Sequence, residues 1–527
     1  MKLNQESITT LQLQKDMKCF TYDREEVKAA TLAAPTWLHF GAGNIFRGFI
    51  AVLQDQLLEE KKTEKGIIVV ETYDTEIIDL VYKKYDNLNI SVILKSDGSV
   101  NKQVIGSVIE SLKGDAEGWQ SLIQFFEKDS LQMVTFTITE KGYCVSECEL
   151  DFEREPEESQ SLMGQLTYLC YRRYKKGGKP IALVSLDNCS QNGKKLYEAV
   201  SKYAAEWIKR GKLEVGFKTY VEDANKLAFP WSMIDKITPQ PNQKIQEMLI
   251  ATGFEEMQIT KTSKNTWIAP FINAEECQYL VVEDNFPNGR PRLEEAGVIF
   301  TTREEVERTE KMKVCTCLNP LHTALAIFGC LLDYKTIAEA VSDPVLHQLI
   351  EKLGYEEGLP VVASPAIINP YDFIKEVIDI RLPNPFILDS PWRIIADTSL
   401  KVPIRFGETL KAYENKQNEE IAQLKYIPLV IAGWCRYLLG INDHGDKYDV
   451  GPDPNAHKMQ QFLNGIEVGK VQNVSIGLQP ILSDENLFGV DLYKVVLGTK
   501  VENYFRELAA EKGAVQGVLN KYLMNEE

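Results

Sequence analysis

The chain lacks the features that mark a metal site, a disulfide framework or a membrane protein. Only five of its 527 residues are histidine, and none stands in an HxxxH or HxH arrangement, which argues against a zinc site. The ten cysteines form no CxxC pair, a pattern typical of reduced thiols. No run approaches about 18 consecutive apolar residues, and the N-terminus lacks the apolar stretch of a signal peptide. We therefore expect a cytoplasmic protein.

The balance of charge is strongly acidic. The sequence contains 59 Lys and Arg residues and 76 Asp and Glu residues, which gives a formal net charge of −17 at pH 7. Such a surface repels nucleic-acid phosphates and anionic lipid, so neither partner is expected. An anionic small-molecule substrate would need a local basic pocket. One hydrophobic core rarely exceeds roughly 250–300 residues, so a chain of 527 residues predicts two large domains.

The N-terminal half has the pattern of an α/β fold. An apolar run at 36–40 predicts a buried strand, a glycine turn follows, 49–59 has helical periodicity, and 66–71 predicts a second strand. Further strand-like runs follow at 89–94, 133–139 and 180–186. Their alternation with helical stretches indicates a doubly wound, Rossmann-type parallel sheet.

Helical periodicity dominates from about residue 300. Proline and glycine cluster at 283–292, a composition typical of a linker. We therefore predict an NAD-binding Rossmann-type domain at 1–287 and a mainly α-helical substrate and catalytic domain at 288–527.

The glycine turn is the first candidate site. Glycines in the first βα turn let the backbone approach a pyrophosphate, and the following helix supplies N–H donors. The third glycine of the usual motif is absent, and Phe46 and Arg47 stand there instead. Arg47 either pairs with a phosphate or is an ordinary surface arginine. The residues predicted to contact the cofactor here are Gly41, Gly43, Asn44, Ile45, Phe46 and Arg47.

An acidic residue at the end of the second strand favours NAD. Such an acid accepts hydrogen bonds from the ribose hydroxyls and repels the extra phosphate of NADP. Glu71 has this position and Asp74 is next, with no Arg or Lys following until Lys83. A solvent-exposed acid at a strand end is the alternative interpretation.

Two further segments contain candidate catalytic residues. Asn188 lies in SLDNCSQNG, where an amide could donate to a reacting oxygen, although Asx-turn chemistry explains such a loop equally well. In KVCTCLNPLHTAL, Asn319 and His322 are spaced i, i+3 and would share a helix face. A nearby lysine could act as the acid or base of alcohol oxidation without a metal. Alternatively, Asn319 is an N-cap followed by Pro320.

These motifs resemble, nearly end to end, those of the mannitol dehydrogenase family of polyol-specific long-chain dehydrogenases, and within it the uronate-reductase branch. The matching segments are WLHFGAGNIFRGF, TITEKGY, SLDNCSQNG, WSMIDKITP, KVCTCLNPLHTAL and RLPNPFILDSPWRIIADTSLKVPIRF. The resemblance implies cofactor contacts at Thr139 and Glu140, and an active-site acid at Asp235. It also implies a catalytic set of Lys313, Asn319, His322 and Asn188.

The family resemblance also predicts the substrate. It implies NADH-dependent reduction of D-fructuronate to D-mannonate by a monomer, with Lys401 on the substrate side. Arg381 and Arg405 lie in the same basic segment and would suit a carboxylate, unless they line a helix surface or a domain interface. The alternatives are tagaturonate reduction to altronate, mannitol 2-dehydrogenase activity, and a dinucleotide-binding sensor without turnover.

One departure from the family pattern concerns the lysine. The family separates lysine from asparagine by four residues, whereas five separate Lys313 from Asn319. On a regular helix the extra residue would rotate the lysine by about 100° away from the shared face. Pro320 removes a helical hydrogen bond to Thr316. We therefore expect an irregular turn between 314 and 319 that returns Lys313 to the site.

Overall fold

The computed structural model describes residues 1–12, 16–145, 148–416 and 418–524. The chain forms two compact units: the first comprises Met1–Leu94 and Ser99–Glu307, and the second comprises Lys95–Gly98 and the chain from Arg308 onward. The division lies downstream of the predicted 287/288, because a strand at Ile299–Thr301 still pairs within the first unit.

Among the described residues, every strand lies in the first unit. They are β1 (Trp37–Phe40), β2 (Ile67–Glu71), β3 (Asn89–Leu94), β4 (Val100–Ile105), β5 (Val108–Lys113), β6 (Met133–Phe136), β7 (Ile181–Ser185), β8 (Leu227–Ala228), β9 (Ser232–Asp235), β10 (Thr260–Lys261), β11 (Trp267–Ile268), β12 (Phe271–Glu275), β13 (Tyr279–Glu283) and β14 (Ile299–Thr301).

A six-stranded sheet with the order β5-β2-β1-β6-β7-β8 forms the centre of the first unit, and all its pairings are parallel. The chain runs outward from β1 to β2 and β5, then returns to β6 on the other side of β1. The strand order therefore reverses between β1 and β6, the point at which such sheets bind ligands beyond the carboxyl ends of their strands. The predicted Rossmann-type fold is confirmed.

The predicted strand at 89–94 forms, but in another sheet. As β3 it pairs with β12 and with β4, in the order β12-β3-β4. A short turn joins β3 and β4 into an antiparallel hairpin, and β3 pairs in parallel with β12 instead of with a strand of the six-stranded sheet. The missing parallel strand is β5. Its sequence VIESLK gave no apolar run because it is the half-exposed edge of the sheet.

Both faces of the six-stranded sheet are buried. Leu38 and Phe40 of β1 belong to one hydrophobic cluster, and Trp37 belongs to the cluster on the opposite face. Successive side chains of a strand point to opposite faces, so a strand covered on both sides requires a continuous apolar run. His39 is the polar exception, and its ring nitrogens lie 2.6 and 2.9 Å from hydroxyls of β6 and the residue after it.

The second unit is built from helices, as predicted. Across the whole described chain the α-helices are α1 (Ile8–Gln12), α2 (Arg24–Ala33), α3 (Ala51–Glu59), α4 (Ala116–Phe126), α5 (Glu149–Phe152), α6 (Leu162–Lys175), α7 (Asn192–Lys209), α8 (Gly216–Glu222), α9 (Gln243–Ala251), α10 (Arg303–Met312), α11 (Asn319–Leu331), α12 (Ile337–Ser342), α13 (Pro344–Lys352), α14 (Pro370–Glu376), α15 (Pro391–Ile394), α16 (Thr398–Val402), α17 (Glu408–Lys416), α18 (Asn418–Ile421), α19 (Tyr426–Tyr437), α20 (Ala456–Phe462), α21 (Val474–Leu482), α22 (Glu485–Phe488), α23 (Gly498–Leu508) and α24 (Ala514–Leu523).

One helix in the described part of the chain has the length and hydropathy of a membrane span. It runs from Arg303 to Leu331 and comprises α10, a π-helical turn and α11. In its most apolar window, 72% of the residues are buried inside the protein. This is the pattern of a core helix.

Candidate active site

The glycine turn lies at the carboxyl end of β1, where the strand order reverses. Gly41 has φ +106°, and a Cβ built on it would lie 2.2 Å from the carbonyl oxygen of Thr137, so only glycine fits. A Cβ built on Gly43 would have no described atom within 4 Å beyond its own chain neighbours, so the backbone there borders open space. A helix begins immediately afterwards, at Asn44. A close-approach glycine before a helix N-terminus fits the pyrophosphate of a dinucleotide.

Phe46 and Arg47 have their side chains inside the first unit. They belong to a π-helical turn that precedes α3. The Phe46 ring stacks on that of His39, with 4.1 Å between the centroids. The Arg47 guanidinium is fully buried and donates to the carbonyl of Ala269 at 2.7 Å and to the amide oxygen of Asn44 at 3.0 Å. The predicted Arg47–phosphate pair is therefore corrected: this side chain ties the loop to the interior.

Glu71 is the acidic residue beside the glycine turn. Its carboxylate accepts the N–H groups of Ala42 and Tyr73, each at 2.8 Å. Asp74 is buried and accepts the hydroxyl of Thr262, in the β10–β11 turn, at 2.7 Å. Of the two acids, Glu71 has the position at which a ribose hydroxyl could donate and a 2′-phosphate would be repelled.

The loops after β6 and β7 lie at the same edge of the sheet as the glycine turn. Thr139 and Glu140 follow β6, and the exposed Asn188 follows β7. Asp187 holds the backbone of Thr139, a role that sequence reasoning missed because its signal was only its place before Asn188. Asp235 ends β9, is buried, and belongs to the separate β14-β13-β9 sheet.

In the second unit, Lys313 begins the irregular turn that the spacing predicted. The segment Lys313–Cys317 is π-helical, and Leu318 donates its N–H to the Lys313 carbonyl, five residues back, at 3.1 Å. A π-turn contains one more residue than an α-turn, so it absorbs the fifth residue between lysine and asparagine. The Thr409 hydroxyl of α17 donates to the Cys315 carbonyl at 3.0 Å. The Lys313 side chain is only 2% exposed, so its amine does not project into solvent.

Asn319 and His322 share the first turn of α11. The N-cap is Leu318, so Asn319 is the first helical residue and the alternative N-cap interpretation is wrong. The Asn319 carbonyl accepts the hydroxyl of Thr323 at 2.8 Å, and that hydroxyl oxygen accepts a guanidinium N–H of Arg405 at 2.5 Å. Arg405 is thereby tied to the turn that carries the candidate catalytic amide.

His322 lies among charged groups. Its Nε2 is 3.9 Å from the Asp389 carboxylate, which also pairs with Arg393. Burial lowers the pKa of His322 to about 4. The carboxylate opposes that shift, and the nearby charges of Arg405, Arg393 and Arg381 reinforce it. The positive charges of three arginines and the negative charge of Asp389 therefore act on a neutral imidazole in this part of the second unit.

Lys401 lies at the end of this basic segment. Its ammonium donates to the Ile394 carbonyl at 3.0 Å and to that of Ala396. Burial, and then the charge of Arg405, lower the pKa of Lys401. The structure therefore places the Lys401 ammonium on carbonyls at and just after the end of α15, where it stabilises the local fold. Arg381 is buried at the end of another π-helical turn.

The environment of His322 predicts that its imidazole stays neutral down to about pH 5. The folded pKa of about 4 lies below the ordinary 6.5, so the unfolded chain takes up a proton that the folded protein does not. The free energy of unfolding should therefore fall as the pH drops from 6.5 toward 4. Histidine-labelled NMR, with the signal assigned through His322→Gln, measures the titration directly. A midpoint near 6.5 would contradict it.

The π-turn predicts an unusual tolerance to deletion. Removing Cys315 leaves four residues between Lys313 and Asn319, and a regular α-turn should then carry both flanking helices in their present phase. We expect the variant to fold and to keep turnover within about tenfold of the parent, because the deletion only converts one π-turn into an α-turn. Deleting Ala326 from the buried middle of α11 is the control, because it rotates an apolar face by about 100°. Equal loss of folded protein in both variants would refute the idea.

The family model described as mannitol dehydrogenase Rossmann domain matches residues 35–295, and that described as mannitol dehydrogenase C-terminal domain matches residues 305–508. A D-mannonate oxidoreductase of Thermotoga maritima is 50% identical over 518 residues, which cover 96% of each chain. A D-mannonate oxidoreductase of Escherichia coli is 26% identical, covering 86% of this chain and 92% of that protein.

Two solved structures have a similar fold. The mannitol 2-dehydrogenase of Pseudomonas fluorescens, in a ternary complex with NAD and D-mannitol, has a TM-score of 0.71 at 24% identity, and all of both chains is covered. A substrate-free D-sorbitol dehydrogenase has a TM-score of 0.79 at 23% identity, covering 98% of this chain and 100% of that one. At these identities the likeness supports the fold alone.

Proposed function

Because this chain belongs to the mannitol dehydrogenase family, we propose that it is an NAD-dependent oxidoreductase that interconverts D-fructuronate and D-mannonate in hexuronate catabolism. The observation that carries the substrate class is the cluster of Arg381, Arg393 and Arg405, whose positive charges act on His322. A sugar carboxylate needs such local positive charge to approach a protein of net charge −17. The name and 50% identity of the Thermotoga maritima relative support the same substrate pair.

The first unit binds the cofactor in this proposal. The open backbone at Gly43 takes the pyrophosphate, and Glu71 takes the adenosine ribose, which favours NAD over NADP. When bound, NADH supplies a hydride to the carbonyl carbon of the ketone. Thr139 and Glu140 border the cofactor, and Asn188 donates from its amide to the reacting oxygen.

The second unit supplies the proton and binds the substrate. As hydride adds to carbon, the carbonyl oxygen takes a proton from Lys313, which recovers one from solvent. The Asn319 amide stabilises the developing negative charge, and neutral His322 orients a neighbouring hydroxyl. Arg381 and Arg405 bind the carboxylate of the substrate.

Assays with NADH and four ketones test the substrate assignment. D-fructuronate, D-tagaturonate, D-fructose and D-fructose 6-phosphate cover the three substrate types open to this family resemblance. The proposal expects turnover of D-fructuronate above the others, and faster reaction with NADH than with NADPH. Preference for tagaturonate would indicate an altronate oxidoreductase, and activity with fructose alone would indicate mannitol 2-dehydrogenase. The proposed cytoplasmic monomer is tested by fractionation and sedimentation.

A further inference from the structure

Thr139, at the edge of the cofactor crevice, has a backbone conformation that threonine rarely adopts. Its φ of +65° and ψ of 159° fall in a region populated almost only by glycine. A β-branched side chain makes positive φ still less favourable. The residue lies two positions after Thr137, whose carbonyl approaches Gly41 so closely that a Cβ could not fit there. Strained backbone at a ligand crevice persists only where neighbouring groups hold it.

The group that holds it is the carboxylate of Asp187. One oxygen accepts the N–H of Thr139 at 2.8 Å, and the other accepts the N–H of Ile138 at 3.0 Å. The Tyr143 hydroxyl, from the end of the same segment, lies 2.5 Å from the second oxygen. Both carboxylate oxygens are therefore used, on three donors within six consecutive residues.

The Asp187 backbone is itself anchored. The buried amide of Asn192 donates to the Asp187 carbonyl at 3.1 Å and also bonds to Ser232. The Ser232 hydroxyl donates to the carbonyl of Ser185, the last residue of β7, at 2.6 Å. The carboxylate thus projects from a fixed point at the end of β7 toward the segment that follows β6.

We infer that Asp187 is a positioning residue for cofactor binding: it holds the segment 138–143 in the conformation that forms one wall of the NADH site. The inference rests on the proposed cofactor site in the first unit and extends it. In this inference, the Asp187 carboxylate keeps Thr139 in its positive-φ conformation before NADH binds. The carboxylate need not contact the cofactor itself. Such preorganisation strengthens binding because the segment need not be ordered by the ligand.

The test is the affinity of the full-length chain for NADH alone, read by fluorescence. In Asp187→Asn, one of the two accepting oxygens becomes a donor facing a backbone N–H, so we expect binding to weaken at least about tenfold. Tyr143→Phe should weaken it in the same direction, by about threefold or more. The matched control is Asp23→Asn, since Asp23 accepts two backbone N–H groups through a single oxygen, which asparagine retains. Its affinity should stay within about twofold of the parent.

Rescue separates positioning from a general structural role. Glycine adopts positive φ without a holding carboxylate, so Asp187→Asn combined with Thr139→Gly should recover at least half of the lost affinity on a logarithmic scale. Parent-like binding in Asp187→Asn, or a double variant no better than the single one, overturns the inference. If Asp187→Asn does not fold, parent-like binding in Tyr143→Phe overturns it. If the parent chain itself fails to bind NADH, the proposed function fails instead.

Discussion

Replacing Lys313 with alanine is expected to lower kcat for ketone reduction by about 10²–10⁴-fold while NADH binds with unchanged affinity. Lys313 is buried at the start of a π-turn that leads directly into the turn carrying Asn319 and His322. Without its amine, the developing alkoxide has no positioned proton donor. Stopped-flow measurement of NADH oxidation, alongside NADH binding by fluorescence, separates the chemical step from cofactor binding.

Lys311→Ala is the matched control for this variant. Lys311 is an exposed lysine in the last turn of α10, two residues before Lys313, so its loss should leave kcat within about twofold. A Lys313→Ala enzyme with parent-like kcat would refute the acid–base assignment. Absence of turnover with every ketone in the unsubstituted protein, combined with tight NADH binding, would instead favour the dinucleotide-binding sensor.

Replacing Arg405 with methionine is expected to lower kcat/KM far more for an acidic substrate than for a neutral one. Burial lowers the pKa of Arg405 to about 10, so the guanidinium remains charged at neutral pH. Losing a partly buried cation that binds a carboxylate typically costs about 2–5 kcal/mol, or roughly 30- to 5,000-fold. We expect kcat/KM for D-fructuronate to fall within that range, and any activity with D-fructose to change far less.

The ratio between the two substrates is the decisive measurement. Arg405 also donates to Thr323, so its removal can disturb the first turn of α11 and slow both substrates alike. That shared loss cancels in the ratio of kcat/KM values. Arg506→Met removes a half-exposed arginine paired with Glu502, and should leave both values unchanged. An equal fall in kcat/KM for fructuronate and fructose in Arg405→Met would show that Arg405 does not recognise the carboxylate.

Much of the first unit could be predicted from short apolar runs. Strands buried on both faces need continuous apolar sequence, and β1, β2, β6 and β7 were found this way. β5 was missed because it is an edge strand with one neighbouring strand, and Glu110, Ser111 and Lys113 interrupt its apolar residues. β3 was assigned to the wrong sheet, since an apolar run predicts burial without naming the neighbouring strand.

The sequence also predicted only part of the candidate site. The family resemblance predicted Lys313, Asn319 and His322 as catalytic residues, and the extra residue between the first two predicted an irregular turn, which the structure contains. Sequence could not tell that Arg47 is inside the first unit, because a charged residue in a glycine turn is usually accessible. It also could not reveal Asp187, whose partners at 138, 139 and 143 belong to the segment after another strand.

Lys313, whose spacing from Asn319 differs from the family pattern, shows what the sequence determines and what only the tertiary structure decides. The sequence by itself determined the fold class and the two-domain organisation, because these depend on local periodicity. Lys313, Asn319 and His322 were assigned as catalytic residues from the family resemblance, and that assignment stays a prediction. Only the tertiary structure decided how the additional residue is accommodated. A π-turn forms at 313–317, and the Thr409 hydroxyl satisfies the Cys315 carbonyl within it. That contact joins residues 94 positions apart, a separation at which local sequence carries no information about the partner.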